Sequence, residues 1–263
     1  MSESTLAVTL ERRVARIALN RPDVHNAFDD RLIAELTQTL LKLEADAGVR
    51  AVVLTGNGAS FSAGANLNWM RRMAQAGEQE NRADSERLAA LMRTLNFLSK
   101  PTVARVNGAA YGGGVGLVAC CDFALAADTA KFGLTEVKLG LVPAVISPYV
   151  VAAIGGRHAR RLFVSGEIFD AADAARIGLV HQIAFADQLD ESLERTLAVL
   201  LKGGPAAQRE AKLLALRAGG MRAETAQQID IDNAALIAAL RVSDEGQEGL
   251  GAFLDKRKPR WID

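Results

Sequence analysis

Residues 101–121 read PTVARVNGAAYGGGVGLVACC. Pro101–Val106 has the apolar, β-branched character of a strand, and Asn107-Gly108 closes it. Gly112, Gly113 and Gly114 follow, and Val115–Cys121 is spaced and composed as an apolar helix. A strand that passes through glycines into a helix start is α/β grammar. Glycines at that junction let bare backbone N–H groups face a ligand. The helix N-terminus adds partial positive charge there. Such a junction suits a developing oxyanion, where one lost donor costs about 2.7–4 kcal/mol of barrier. It equally suits a tight turn in a packed protein. The spacing Gly112-Gly113-Gly114-Val115-Gly116 is not G-x-G-x-x-G, and no G-x-x-x-x-G-K-[ST] is present, so a nucleotide site is disfavoured.

The same grammar extends upstream and downstream. Ala51–Leu54 reads as a buried strand closed by Gly56-Asn57-Gly58, and FSAGANL at 61–67 holds a second glycine turn, Ala63-Gly64-Ala65. Convergence of the two turns would bring two peptide N–H groups to one carbonyl oxygen. Thr5–Glu11 and Val14–Leu19 alternate as strands. The segment 21–27 is a loop, in which Pro22 blocks strand pairing, and Asp29 is placed to cap a helix from Arg31 to about Glu44. Glu78–Leu98 is a polar helical stretch and Phe123–Ala126 a strand. Beyond about Gly155 the spacing becomes helical: Arg157–Ser165, Ala171–Ile177, Leu189–Leu201, Ala206–Arg217, Ala223–Leu240 and Asp244–Leu254. Leu179–Ile183 reads as a strand among them. The expected organisation is an α/β body over residues 1–195 and a helical region over 196–263, without a separating linker.

Bulk composition narrows the function classes. Of 263 residues 49% are hydrophobic, enough for a substantial core. Lys+Arg and Asp+Glu are each 31, a balance that argues against nucleic-acid binding. Zero net charge fits an assembled oligomer. Cys120 and Cys121 are adjacent in an apolar stretch and read as buried, reduced thiols, with neither a disulfide framework nor a metal site implied. The N-terminal MSESTLAVTLERR lacks a basic segment followed by an apolar one. No apolar run approaches the roughly 20 residues that span a bilayer. A reducing cytoplasm is the expected location, with no membrane partner.

Three motifs together carry a resemblance. FSAGANL at 61–67 resembles F-x-A-G-A-D-[LI]; Pro101–Gly114 resembles K-P-x-[IV]-A-x-[IV]-x-G-x-x-x-G-G-G; and AKFGLTEVKLG at 130–140 resembles A-x-F-G-x-x-E-x-x-x-G. These are motifs of the enoyl-CoA hydratase/isomerase (crotonase) family, and the likeness runs from the first strands to Phe253–Arg257. The resemblance implies an α/β fold, the crotonase (ClpP-like) β-β-α spiral with a helical C-terminal part used in oligomerisation, assembled as trimers or dimers of trimers. It implies that the N–H groups of Ala65 and Gly113 hold the thioester carbonyl of an acyl-CoA, and that Glu136 is the catalytic carboxylate. It places coenzyme A, part of the substrate rather than a tightly bound cofactor, near His25, Ala27, Ala63, Ala65 and Leu67. Phe253 and Lys256 match the C-terminal adenine and phosphate contacts, and Arg21 is a further phosphate candidate.

Two departures bear on the reaction. Many hydratases of this family carry a first glutamate in G-G-G-x-E-L, where this chain has Gly116. Syn addition of water usually divides its proton transfers between two carboxylates. Here Glu136 either works with a substitute such as Tyr111, Ser147, Tyr149 or a carboxylate of the substrate, or the reaction is not hydration. Second, Val142–Tyr149 replaces P-G-x-G-G-T. With Gly116 and Leu67–Met70, this segment is similar to 3-methylglutaconyl-CoA hydratases of leucine degradation and to isohexenylglutaconyl-CoA hydratases of acyclic terpene degradation. The expected activity is therefore that of a hydro-lyase acting on a 3-branched glutaconyl-CoA. A Δ3,Δ2-enoyl-CoA isomerase, which needs one base, and a non-catalytic acyl-CoA-binding protein are the alternatives. Trp69, Met70 and Met73 fit either an ordinary helix face or an acyl pocket.

Overall fold

The computed structural model describes residues 4–262. The reading of Met1–Glu3 as part of a leaderless N-terminus lies outside them. Strands β1 (Leu6–Glu11) and β2 (Val14–Leu19) form an antiparallel hairpin. Helix α1 (Asp30–Ala45) follows, with Asp29 accepting the Leu32 N–H at 2.9 Å as the sequence leads one to expect. Its buried Leu32, Ile33, Leu36 and Leu40 make one apolar stripe.

The body then repeats one unit. Strand β3 (Ala51–Gly56) enters the larger sheet and β4 (Ser60–Ser62) the smaller, before helices α2 (Leu67–Gln75) and α3 (Glu78–Asn96). Next, β5 (Thr102–Val106) pairs in parallel with β3, β6 (Ala109–Tyr111) pairs in parallel with β4, and α4 (Gly113–Cys120) closes the turn. In the third turn, β7 (Phe123–Ala127) joins β5 and β8 (Lys131–Gly133) joins β6. A 3₁₀ turn (Glu136–Leu139) and α5 (Ser147–Ser165) complete it. This is a β-β-α spiral in which each turn contributes one strand to each sheet. Parallel strands covered on both faces need continuous apolar runs, and Ala51, Val52, Val53 and Leu54 are all buried. Helix α4 is apolar on every side because it lies inside the core.

Strand β9 (Ile168–Asp170) pairs antiparallel with β8, α6 (Ala171–Arg176) follows, and β10 (Gln182–Ala184) ends the larger sheet beside β7. Helices α7 (Leu189–Leu200), α8 (Pro205–Ala218), α9 (Ala223–Val242) and α10 (Asp244–Leu254) complete the chain. Helix α9 packs along α3, and α10 lies against α2 and the 3₁₀ turn.

Several boundaries differ from expectation, for physical reasons. Helix α4 starts at Gly113 rather than Val115, and its Gly114 packs so close to β4 that a side chain there would meet the Ser62 carbonyl oxygen at 2.7 Å. Helix α5 starts at Ser147 rather than Arg157. Pro148 is tolerated in its first turn, and Gly155 (φ 74°, ψ 153°) kinks it midway. Leu179 and Val180 are buried in a turn, so the strand expected at Leu179–Ile183 is shifted to Gln182–Ala184. The three-residue strands β4, β6, β8 and β9 are too short for alternation to show. Among the described residues, no helix is long and apolar enough to cross a membrane.

Candidate active site

Both glycine turns open onto one cavity of about 490 Å³. Ala65 lies between Gly64, whose φ of 83° turns the chain after β4, and Asn66, which caps α2. The Asn66 side chain accepts the N–H groups of Asn68 at 2.9 Å and Trp69 at 3.3 Å, so its task is to start a helix. Gly112 has φ 49° and ψ −116°, a conformation that glycine adopts at low cost, and it directs the chain into α4 with Gly113 as first residue. Among the described residues neither the Ala65 N–H nor the Gly113 N–H donates to a protein acceptor, and both residues line the cavity. Their donors are thus available to a ligand oxygen, that of Gly113 at a helix N-terminus.

Glu136 reaches the same place from the third turn of the spiral. Thr135 precedes it, and Gly140 (φ 68°) ends the 3₁₀ turn that holds it. A methyl group on Gly112 would come within 3.1 Å of Glu136 Oε1, so the carboxyl lies beside the Gly112–Gly113 junction. Its Oε2 is buried and has no hydrogen-bond partner among the described residues. Burial without a compensating cation pushes the Glu136 carboxyl up to about 7, although its own backbone N–H pulls it down slightly. A carboxyl poised near neutrality is suited both to accept and to return a proton.

The position of the absent glutamate is physically occupied. A Cβ on Gly116 would sit 2.3 Å from Ile146 Cγ2, 3.0 Å from Ile146 Cβ and 3.2 Å from Met92 Cε. Ile146, in the segment that departs from P-G-x-G-G-T, therefore fills the room that a side chain at 116 would need. Of the substitute groups, Tyr111 lines the cavity. Ser147 Oγ instead donates to the Ala144 carbonyl at 2.7 Å, and Tyr149 is buried against a second cavity beside Asp230.

The remaining sequence-derived residues are distributed around this centre. Ala63 and Phe253 line the cavity. His25 and Ala27 lie behind it: His25 Nδ1 is 3.1 Å from Ser60 Oγ, the His25 carbonyl accepts the Ala63 N–H, and Ala27 is buried. Leu67 and Lys256 are exposed outside the lining, and Arg21 pairs with Asp29. Trp69, Met70 and Met73 are at once the buried face of α2 and part of the cavity wall. Sequence reasoning missed Phe28, whose ring lies 3.1 Å from where a Gly113 Cβ would be, and the wall supplied by Ile237 and Arg241 of α9 and Leu250 of α10. Phe28 stands in the bridge to Ala65 just before α1, the other three sit in the C-terminal helices, and no local pattern marks any of them. Among the described residues there is no cluster of His, Cys, Asp or Glu able to hold a metal ion.

Comparison with known proteins agrees with this architecture. A Thermus thermophilus protein described as an enoyl-CoA hydratase is 39% identical over 249 residues, covering 94% of this chain and 97% of its own. The 2,3-dehydroadipyl-CoA hydratase of Escherichia coli is 32% identical over 264 residues, covering 97% and 98%. The crystal structure of an enoyl-CoA hydratase from Shewanella pealeana superposes with a TM-score of 0.79 at 43% identity, covering 98% of this chain and 96% of that one. Residues 9–263 match the family described as enoyl-CoA hydratase/isomerase, so this chain, with its two free peptide donors and its near-neutral carboxyl, belongs to that family.

Proposed function

We propose that this enzyme adds water to a 3-branched glutaconyl-CoA, either 3-methylglutaconyl-CoA in leucine degradation or isohexenylglutaconyl-CoA in acyclic terpene degradation. The observation that carries the reading is the pairing of Gly116 with Ile146, which leaves Glu136 as the one carboxyl lining the cavity among the described residues. In this scheme the thioester carbonyl accepts the N–H groups of Ala65 and Gly113. As water attacks Cβ, negative charge moves onto that oxygen, so these donors favour the transition state over the ground state. Glu136, ionised, takes a proton from the attacking water while the C–O bond forms. The same carboxyl then gives that proton to Cα as the enolate collapses, which completes a syn addition. Its near-neutral pKa supports both transfers. The name of the Escherichia coli relative, a dicarboxylic enoyl thioester hydratase, is in keeping with a glutaconyl substrate.

Coenzyme A enters as part of the substrate, near His25, Ala27, Ala63, Ala65 and Leu67, with Phe253 and Lys256 as its adenine and phosphate contacts. The remote contacts orient the acyl group for reaction. The helical region 196–263 serves assembly into trimers or dimers of trimers, and the cytoplasm is the site of action.

One observation favours a second reading. A single base beside an apolar wall is sufficient to shift a double bond, as in a Δ3,Δ2-enoyl-CoA isomerase. Incubation in ¹⁸O-water with 3-methylglutaconyl-CoA, isohexenylglutaconyl-CoA and crotonyl-CoA separates the two. Label in product with preference for a branched glutaconyl thioester is expected, and the preferred branch assigns the pathway. Turnover without label would make the enzyme an isomerase.

A further inference from the structure

We propose that Arg241 receives the carboxylate at the far end of the acyl chain, so that the cavity selects enoyl thioesters of dicarboxylic acids. This rests on the hydratase reading above and names the residue that would give it substrate specificity. Arg241 stands in the last turn of α9 and lines the cavity together with apolar side chains, among them Trp69, Met70, Met73 and Ile237. Only 14% of its side chain is exposed, so a full positive charge has been carried into a largely apolar pocket.

Its protein contacts leave that charge incompletely answered. Arg241 Nη1 lies 3.2 Å from Asn81 Oδ1, 3.4 Å from Ser85 Oγ and 3.5 Å from Asp84 Oδ2. Among the described residues its Nε and Nη2 donate to nothing. Asp84, fully buried, also accepts from Arg87 at 3.0 Å and from the Trp69 indole N–H at 3.1 Å. Two guanidinium groups therefore share one carboxylate, a local excess of one positive charge. Arg87 is half exposed and solvated. Arg241 is not, and a second carboxylate from the cavity side would complete its fork with charge-assisted hydrogen bonds.

Position agrees with charge. The Arg241 guanidinium lies over the Trp69 ring of α2, 5.8 Å from its centre. Trp69 is the third residue of α2, whose cap Asn66 directly follows Ala65. Ala65 and Arg241 line the same cavity, so an acyl chain held at Ala65 by its thioester shares that cavity with the guanidinium. The other cations of the lining are less suited. Arg257 is gripped by both carboxylate oxygens of Glu248 at 2.7 and 3.0 Å, and Lys138 is exposed.

The test compares kcat/KM for 3-methylglutaconyl-CoA with that for its distal methyl ester, and repeats the pair with an unbranched six-carbon dicarboxylic enoyl-CoA and its ester. Wild type, Arg241→Gln, Arg241→Lys and Lys138→Gln enzymes are measured, with circular dichroism to confirm folding. The acid-to-ester ratio is expected to fall by about 30-fold or more in Arg241→Gln and to recover partly in Arg241→Lys. A general loss of folding would lower both members of a pair and leave their ratio unchanged. An unchanged ratio in folded Arg241→Gln, or a collapse in Lys138→Gln instead, would overturn the proposal while leaving the glutaconyl reading standing. Preference for the six-carbon acid, abolished in Arg241→Gln, would retire the glutaconyl substrate and keep the role of Arg241.

Discussion

In the proposed mechanism Glu136 carries both proton transfers, and its buried environment sets its behaviour. Replacement by Gln removes the proton relay, and hydration is expected to fall by about 10²-fold or more in kcat. For the wild-type enzyme the base form must be ionised, so kcat/KM for hydration should rise with pH through about 7 and then level off. Stability should move the opposite way. The folded pKa is raised above the unfolded value of 4.5, so the folded state binds the extra proton. Its stabilising effect is full below pH 4.5 and is lost as pH rises through about 7. Glu136→Gln protein should therefore melt at a higher temperature than wild type at pH 8 and similarly at pH 4, which thermal denaturation at the two pH values checks. Gly116 gives a second prediction at this scale. Gly116→Glu alone should lower stability by about 1–3 kcal/mol or more through overpacking against Ile146 and should not accelerate hydration. Adding Ile146→Ala should recover part of the melting temperature. If the single variant is as stable as wild type, Ile146 does not occupy that space firmly.

Helix α2 shows how an element ties the two halves of the site together. Its cap, Asn66, follows directly on the Ala65 donor, and its Trp69 donates to the buried Asp84 of α3. Trp69→Phe keeps most of the packing but strips that donor from a buried carboxylate. It should cost about 1–3 kcal/mol in chemical denaturation. The elements differ in how much of them the sequence displays. Helix α1 is legible to within a residue because Asp29 and the Leu32–Leu40 stripe are both local signals. The two glycine turns and Glu136 are legible as motifs, and the fold brings them to one cavity. Helix α5 is not legible at its start, where Pro148 reads as a breaker although the first turn accepts it. Arg241 is invisible for a different reason: its meaning arises from Asp84, more than one hundred and fifty positions earlier, and distance along the chain hides the pair.

Across the whole molecule, burial decides which reactive groups take part. Cys120 and Cys121 both lie in the core, and burial raises both thiols, Cys121 to about 12. A thiol-specific reagent such as dithionitrobenzoate should react with neither in the native enzyme and with both in denaturant. Rapid native labelling would show that this core opens. The cavity, too, belongs to the molecule rather than to any segment of it, since its wall begins with Phe28 and ends with Pro259. That span has a consequence for the newborn protein. Translation adds about 5–20 residues per second, so Phe28 precedes the last wall residue out of the ribosome by on the order of ten to fifty seconds. The spiral has its strands well before α9 and α10 exist, yet a nascent chain lacks the side of the pocket that holds Ile237, Arg241 and Leu250. Such a chain carries both peptide donors and Glu136 with one flank open to water, and an enclosed acyl site comes into being only as the final helices dock.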